Sequence, residues 1–217
     1  MKAMLLAAGR GERMRPLTDT VPKPLLSVKG KSLIEHQLEK LVAAGFTEIV
    51  INHAYLGEQI VQKLGDGAAY GASITYSAEP EILGTAGGIV NALPLLGQEP
   101  FLVVNSDVWT DFPFQTLNKP LNNLAHLVLV PNPTHHPKGD FHLNQNMVSR
   151  QSEPKLTFSG VGVYHPDLFS LPIAEPVFGL APLLIKAMEM QQVTGTLYLG
   201  TWVDVGTPER LESIDKL

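Results

Sequence analysis

Two rhythms of apolar and polar positions alternate along the first half of the chain. Residues 3–8 (AMLLAA) form an unbroken apolar run, the pattern of a strand buried on both faces. Residues 32–44 carry Ile34, Leu38, Leu41 and Val42 on one helical face. Ser32 and Glu35 supply a capping-box pattern at the start, and Gly45 supplies a stop. TEIVINH (47–53) reads as a strand and 56–64 as a helix closed by Gly65. SITYSAE (73–79) predicts a strand, 85–96 a helix, and PFLVVNSD (100–107) an apolar strand that ends on an acid. This βαβαβαβ rhythm predicts a mostly parallel sheet with helices on both faces.

The second half is less regular. HLVLVP (126–131) and LTFSGVGVY (156–164) predict strands on either side of a polar stretch from Pro131 to Pro154. Residues 177–191 suit a helix and GTLYLG (195–200) a strand. Thr207-Pro208-Glu209 combines a capping hydroxyl, a proline at the first helical position and an acid, and so predicts a helix start. There is no internal repeat or linker. A single α/β domain over 1–217, with a smaller lobe formed by its second half, accounts for the pattern.

Composition narrows the function classes. Against 16 Lys+Arg stand 21 Asp+Glu, a net charge of −5, which argues against gripping a nucleic-acid backbone. With 44% hydrophobic and 17% charged residues, the chain has ample core. It contains no cysteine, which removes disulfides, Cys-based zinc sites and thiol nucleophiles, and favours a reducing, cytoplasmic setting. No apolar run approaches the ~20 residues that span a bilayer. The N-terminal apolar run stops at Gly9 and leads into charged residues, so a buried strand is expected there in place of a secretion signal. His135 and His136 are adjacent in the polar stretch. Adjacent side chains rarely face one ion, so they are read as part of a solvated loop.

The most informative stretch is LLAAGRGERMRPLTDTVPKPLL, Leu5 to Leu26. A buried strand runs into Gly9-Arg10-Gly11, where the backbone can turn with positive φ and approach a ligand closely. Successive amides in such a turn line an anion-binding concavity. Arg10, Arg13, Arg15 and Lys23 surround it with positive charge. Neither familiar phosphate loop fits: Met14 occupies the third-glycine position of the dinucleotide fingerprint, and Lys23 precedes Pro24 where a P-loop needs Ser or Thr. Taken alone, the turn reads equally well as a tight strand-to-loop connection with surface arginines.

The longer pattern decides between these. Leu6, Ala7, Ala8, Gly9, Gly11, Arg13, Pro16, Leu17, Thr18, Lys23 and Pro24 together resemble the signature of the sugar-1-phosphate nucleotidyltransferases, which make nucleotide sugars. The resemblance continues through LGTAGG (83–88), NSD (105–107), FSGVGVY (158–164) and WVDVGTPE (202–209), and so covers nearly the whole chain. It implies a Rossmann-like nucleotidyltransferase fold of GT-A type, with a mostly parallel mixed sheet and a small sugar-binding lobe. The nucleotide half would span about 1–110 and the sugar half about 111–217. It also implies that Ala8, Gly9, Gly11, Glu12, Arg13 and Lys23 hold an NTP. Arg13 would lie on the triphosphate tail and Lys23 near the α-phosphate, these two being the catalytic pair. Glu79 and Gly84 would border the base.

Asp107 and Asp204 each end or follow strand-like segments, where ligands bind open α/β sheets. Read alone, Asp107 is better explained as the start of a turn and Asp204 as a cap or salt-bridge residue. The resemblance assigns both to Mg²⁺, which takes one or two carboxylates plus phosphate oxygens and water. It likewise places sugar contacts at Gly139 and Asp140, and Asn105, beside Asp107, is a further candidate to bond the sugar. The implied reaction joins an NTP to a sugar 1-phosphate and releases pyrophosphate.

The chain ends at Leu217, ten residues into its last helix, which leaves no room for the left-handed β-helix of bifunctional family members. Many members carry E-K-P with a lysine on the sugar phosphate; here Glu153, Pro154 and Lys155 appear in permuted order. The stretches EIVINHAYLGEQI, KGDF and FGLAPLL resemble most the members that use UTP and N-acetylmuramate 1-phosphate in peptidoglycan recycling. LGTAGG stands where those members lead one to expect ETGGG, and Ser106 where a glycine is expected. Mannose or glucose 1-phosphate with another NTP is therefore the alternative. A regulatory module that binds a nucleotide sugar without turnover is a second alternative, disfavoured because Arg13, Lys23, Asp107 and Asp204 are all present.

Overall fold

The computed structural model describes residues 1–172 and 179–216. In chain order the elements are β1 (Ala3–Leu6), β2 (Ser27–Val28), β3 (Lys31–Ser32), α1 (Leu33–Ala43), β4 (Glu48–His53), α2 (Gly57–Leu64), β5 (Ser73–Ala78) and α3 (Gly84–Leu96). There follow β6 (Phe101–Asn105), β7 (Val108–Thr110), β8 (Ala125–Val130), β9 (Phe141–Asn144), β10 (Met147–Ser149), β11 (Lys155–Tyr164), α4 (Ala181–Glu189), β12 (Val193–Leu197), β13 (Trp202–Asp204) and α5 (Pro208–Ile214). Nine strands make one sheet in the order β5-β4-β1-β6-β11-β8-β12-β10-β9.

The first four positions of that order are parallel throughout. Beyond β6 the sheet is mixed: β11 runs antiparallel to β6 and β8, β12 parallel to β8, and β10 antiparallel to β12 and β9. The antiparallel pairings thus belong to the second half, where the sequence rhythm is also least regular. In β1 successive side chains go to opposite faces. Met4 joins the core under α3 and α4, while Ala3 and Leu5 join the core under α1 and α2. A strand covered on both sides needs apolar residues at every position, which is why AMLL shows no alternation.

Helix α1 starts where its capping pattern predicts. Glu35 Oε2 accepts from the Ser32 amide at 2.9 Å and from Ser32 Oγ at 2.6 Å. Burial pushes the Glu35 carboxyl up, but hydrogen bonds from Ser32, Tyr70 and Lys63 outweigh it and hold the group at about 2.

Several boundaries differ from expectation. β1 stops at Leu6 because the Ala7 amide turns to the Asn52 side chain, 2.9 Å away. β6 stops at Asn105, leaving Asp107 in the following turn. The polar stretch 131–154 is not simply a loop: it contains the β9–β10 hairpin, and β9 also pairs with β11. β7 and β13 form a separate two-stranded sheet. The strand expected at 195–200 lies at Val193–Leu197, and α4 covers Ala181–Glu189 of the helix expected over 177–191. Positions 177 and 178 of that expectation lie outside the described residues.

From β1 the chain moves to β4 and β5 on one side, then crosses by α3 to β6 on the other. The strand order therefore reverses between β1 and β6. In such sheets ligands bind in the crevice beyond the carboxyl ends of the two strands that flank the reversal.

Candidate active site

A cavity of about 620 Å³ lies at that crevice. One wall is the loop after β1. Gly11 has φ +65°, and a Cβ there would stand 2.9 Å from Lys23 Cβ and 3.0 Å from Thr18 Cγ2. Only glycine allows both that backbone and that approach. Thr18 Oγ1 donates to the Gly11 carbonyl at 2.9 Å, and the Met14 amide donates to it at 2.8 Å. Met14 is fully buried in a small core with Leu33, Val205 and Ile214, which pins the loop from behind. Ala8, Gly9, Gly11, Glu12 and Arg13 all line the cavity, as does Lys23.

The opposite wall is a buried polar chain. Glu79, 6% exposed, accepts from Asn52 Nδ2 at 2.6 Å and from the Leu83 amide at 3.0 Å. Asn52 Oδ1 in turn accepts from the Ala7 amide. Glu79 thereby locks the ends of β1 and β4 to the start of α3, where Gly84 also lines the cavity. Asn52 is a member of this wall that the sequence reading did not single out. Its signal was present, as a polar residue closing the apolar run EIVI at the carboxyl end of a strand.

The two acids come together through β7 and β13. Asp204 is in register with Val108, and the Val205 amide donates to the Asp107 carbonyl at 2.8 Å. Asp107 is aimed by its neighbour Ser106, whose Oγ donates to the Leu6 carbonyl at 2.6 Å. Its carboxylate pairs with the Lys23 ammonium. Asp204 Oδ1 lies 2.5 Å from Arg210 Nη1 and 2.9 Å from His135 Nε2. His135 is thus not a loosely solvated loop residue; it reaches one of the two acids. Among the described residues no three His, Cys, Asp or Glu side chains form a metal-sized cluster. Asp107 lines the cavity, whereas Asp204 is not among its lining residues and stands two positions before Gly206, which is; two such carboxylates do not make a complete cage. They fit a hard cation such as Mg²⁺ whose remaining ligands are phosphate oxygens and water.

On the sugar side the sequence-predicted residues separate. Asn105, level with Leu6 at the end of β6, lines the cavity. Gly139 and Asp140 are not brought to its wall. Asp140 Oδ2 accepts from the Phe158 amide at 2.8 Å, and its Oδ1 lies 3.0 Å from His136 Nε2. The Asp140 amide donates to Leu156 O at 2.8 Å. Both residues frame the second lobe by tying the loop before β9 to β11. Lys155, from the permuted E-P-K, faces Glu153 at 3.6 Å.

The family model for nucleotidyl transferases matches residues 2–141. The chain belongs to that family. It is 55% identical to the N-acetylmuramate alpha-1-phosphate uridylyltransferase of Neisseria meningitidis serogroup B over a 226-residue alignment, which covers 100% of this chain and 98% of that protein. It is 34% identical to the mannose-1-phosphate guanyltransferase of Candida albicans, over 96% of this chain and 62% of that protein. The solved structure of UDP-glucose pyrophosphorylase complexed with UDP-glucose shares the fold, with a TM-score of 0.79 over 99% of this chain and 97% of that one at 18% identity.

Proposed function

We propose that the protein transfers the uridylyl group of UTP to N-acetylmuramate 1-phosphate, giving UDP-N-acetylmuramate and pyrophosphate. The full-length 55% identity to an enzyme named for that reaction carries the reading. The product is a cell-wall precursor, so the reaction belongs to peptidoglycan recycling in the cytoplasm, where nucleoside triphosphates are available.

A phosphate oxygen of the sugar 1-phosphate attacks the α-phosphorus of UTP. A new P–O bond forms as the bond to the bridging oxygen of the leaving pyrophosphate breaks. Both reactants are anions, so positioning and electrostatic stabilisation supply the catalysis and no protein nucleophile is needed. Arg13 and the loop Ala8–Glu12 hold the triphosphate. Lys23, whose side chain is only 11% exposed, leaves Asp107 for the α-phosphate as charge develops there. Glu79 and Gly84 shape the base end of the cavity. Asp107 and Asp204 would hold Mg²⁺, which when bound neutralises phosphate charge. Asn105 faces the sugar, while Gly139 and Asp140 hold the lobe that closes over it.

A second reading, mannose 1-phosphate with GTP, is favoured by LGTAGG and by the likeness to the guanyltransferase. A binding module without turnover fits less well, because Arg13, Lys23 and Asp107 line one cavity and Asp107 pairs with Lys23 there. A panel of NTPs and sugar 1-phosphates with Mg²⁺, scored by pyrophosphate release, decides among these. UTP with N-acetylmuramate 1-phosphate should exceed UTP with N-acetylglucosamine 1-phosphate by at least about tenfold in kcat/KM, or ~1.4 kcal/mol. Equal rates, or a preference for GTP with mannose 1-phosphate, would overturn the muramate assignment.

A further inference from the structure

We infer that Arg210, which pairs with Asp204, is a second guanidinium for the leaving pyrophosphate. The inference rests on the nucleotidyl-transfer reading above. Arg210 sits in the first turn of α5, behind the Thr207 cap. Its side chain runs back against Gly206, which lines the cavity. A methyl group built on Gly206 would stand 3.0 Å from Arg210 Cζ and 3.3 Å from Arg13 Nη2. Two guanidinium groups, one from the loop after β1 and one from α5, therefore converge on a single point of the wall. Like charges held this close need an anion between or beside them.

Asp204 supplies part of that charge, and of the two guanidinium groups it pairs with Arg210. Among the described residues no carboxylate pairs with Arg13. The arrangement on Asp204 is also contested. His135 Nε2 lies 2.8 Å from Arg210 Nη1 and 2.9 Å from Asp204 Oδ1. That nitrogen either accepts from the arginine or donates to the acid; it cannot do both with one proton. When Asp204 turns to a cation, Arg210 loses its partner, and the nearest anion is the phosphate held by Arg13. A planar guanidinium binds two phosphate oxygens in one bidentate fork, whereas an ammonium binds them as a point charge. Arg210 is thereby coupled to Asp204: the carboxylate holds it, and phosphate and cation together would release it.

The reverse reaction, from UDP-N-acetylmuramate and pyrophosphate, isolates the effect. Arg210→Gln should raise the KM for pyrophosphate by roughly 10- to 100-fold, the usual worth of charge-assisted hydrogen bonds, and leave the KM for the nucleotide sugar essentially unchanged. Arg210→Lys should recover part of the loss. An unchanged pyrophosphate KM, or a rise in the sugar-substrate KM alone, would overturn the assignment. A second measurement needs no turnover. In calorimetry with pyrophosphate and a chelator, Asp204→Asn should bind pyrophosphate more tightly than the wild type. That gain should vanish in the Asp204→Asn, Arg210→Gln double variant. A gain of equal size without Arg210 would mean that removal of negative charge alone explains it, and Arg210 would have no role. A wild type that performs no pyrophosphorolysis would count against the proposed reaction, and the calorimetry would still decide on Arg210.

Discussion

Lys23 meets Asp107 across the cavity only because Gly11 brings no side chain between the loop and the lysine stem. The pair stores a cation beside the site of reaction. Lys23→Ala should lower kcat by roughly 30- to 1000-fold, the equivalent of ~2–4 kcal/mol for a contact made in the transition state. The KM for UTP should change less, because Arg13 and the loop remain. Steady-state kinetics with Mg²⁺ checks this, and an unchanged kcat would remove Lys23 from catalysis. That Arg13, Lys23 and Asp107 would face one cavity was legible in the sequence, because they sit in short patterns whose spacing is itself the signal. Asn52, His135 and Arg210 were not. Each acts on a group outside its own short pattern, so even where a local signal exists, as at Asn52, it does not name the target.

Elements with strong local signals came out close to expectation. α1 runs between its capping box and its glycine stop, and α2 and β4 match within a residue. The β9–β10 hairpin was hidden because its strands are short and end in Asn144-Gln145-Asn146, with Gln145 at φ +55°. Their pairing comes from β11 and β12, not from their own pattern. α3 shows how an element can serve the site through one position. A Cβ at Gly88 would stand 2.5 Å from Glu79 Oε1 and 2.7 Å from Asn52 Nδ2. Gly88→Ala should therefore break the buried chain from Ala7 to Leu83 and cost about 1–3 kcal/mol, the penalty of a buried polar group left without its partner. Thermal unfolding measures it. A stability equal to wild type would show that the chain can re-form around a methyl group.

At the scale of the whole molecule, the location of the site was legible where its geometry was not. The βαβ rhythm and the glycine loop place the cavity beyond β1 and β6, and the structure has it there. The meeting of Asp107 with Asp204 depends on β7 and β13, three-residue strands that no periodicity reveals. That small sheet joins the nucleotide half to the last segment of the chain, so filling the cavity should stiffen the whole fold. A ligand that binds only the folded state adds about 2.7 kcal/mol of stability at 100 times its Kd. For a domain of this size that is a rise in Tm of roughly 5–11 °C. UTP with Mg²⁺ should produce such a rise in the wild type, and a smaller one when Mg²⁺ is chelated. In Asp107→Asn the two conditions should converge if this acid couples metal to nucleotide as proposed. A full Mg²⁺-dependent rise in Asp107→Asn would take that acid out of the metal site and leave Asp204 to hold the cation with phosphate oxygens alone.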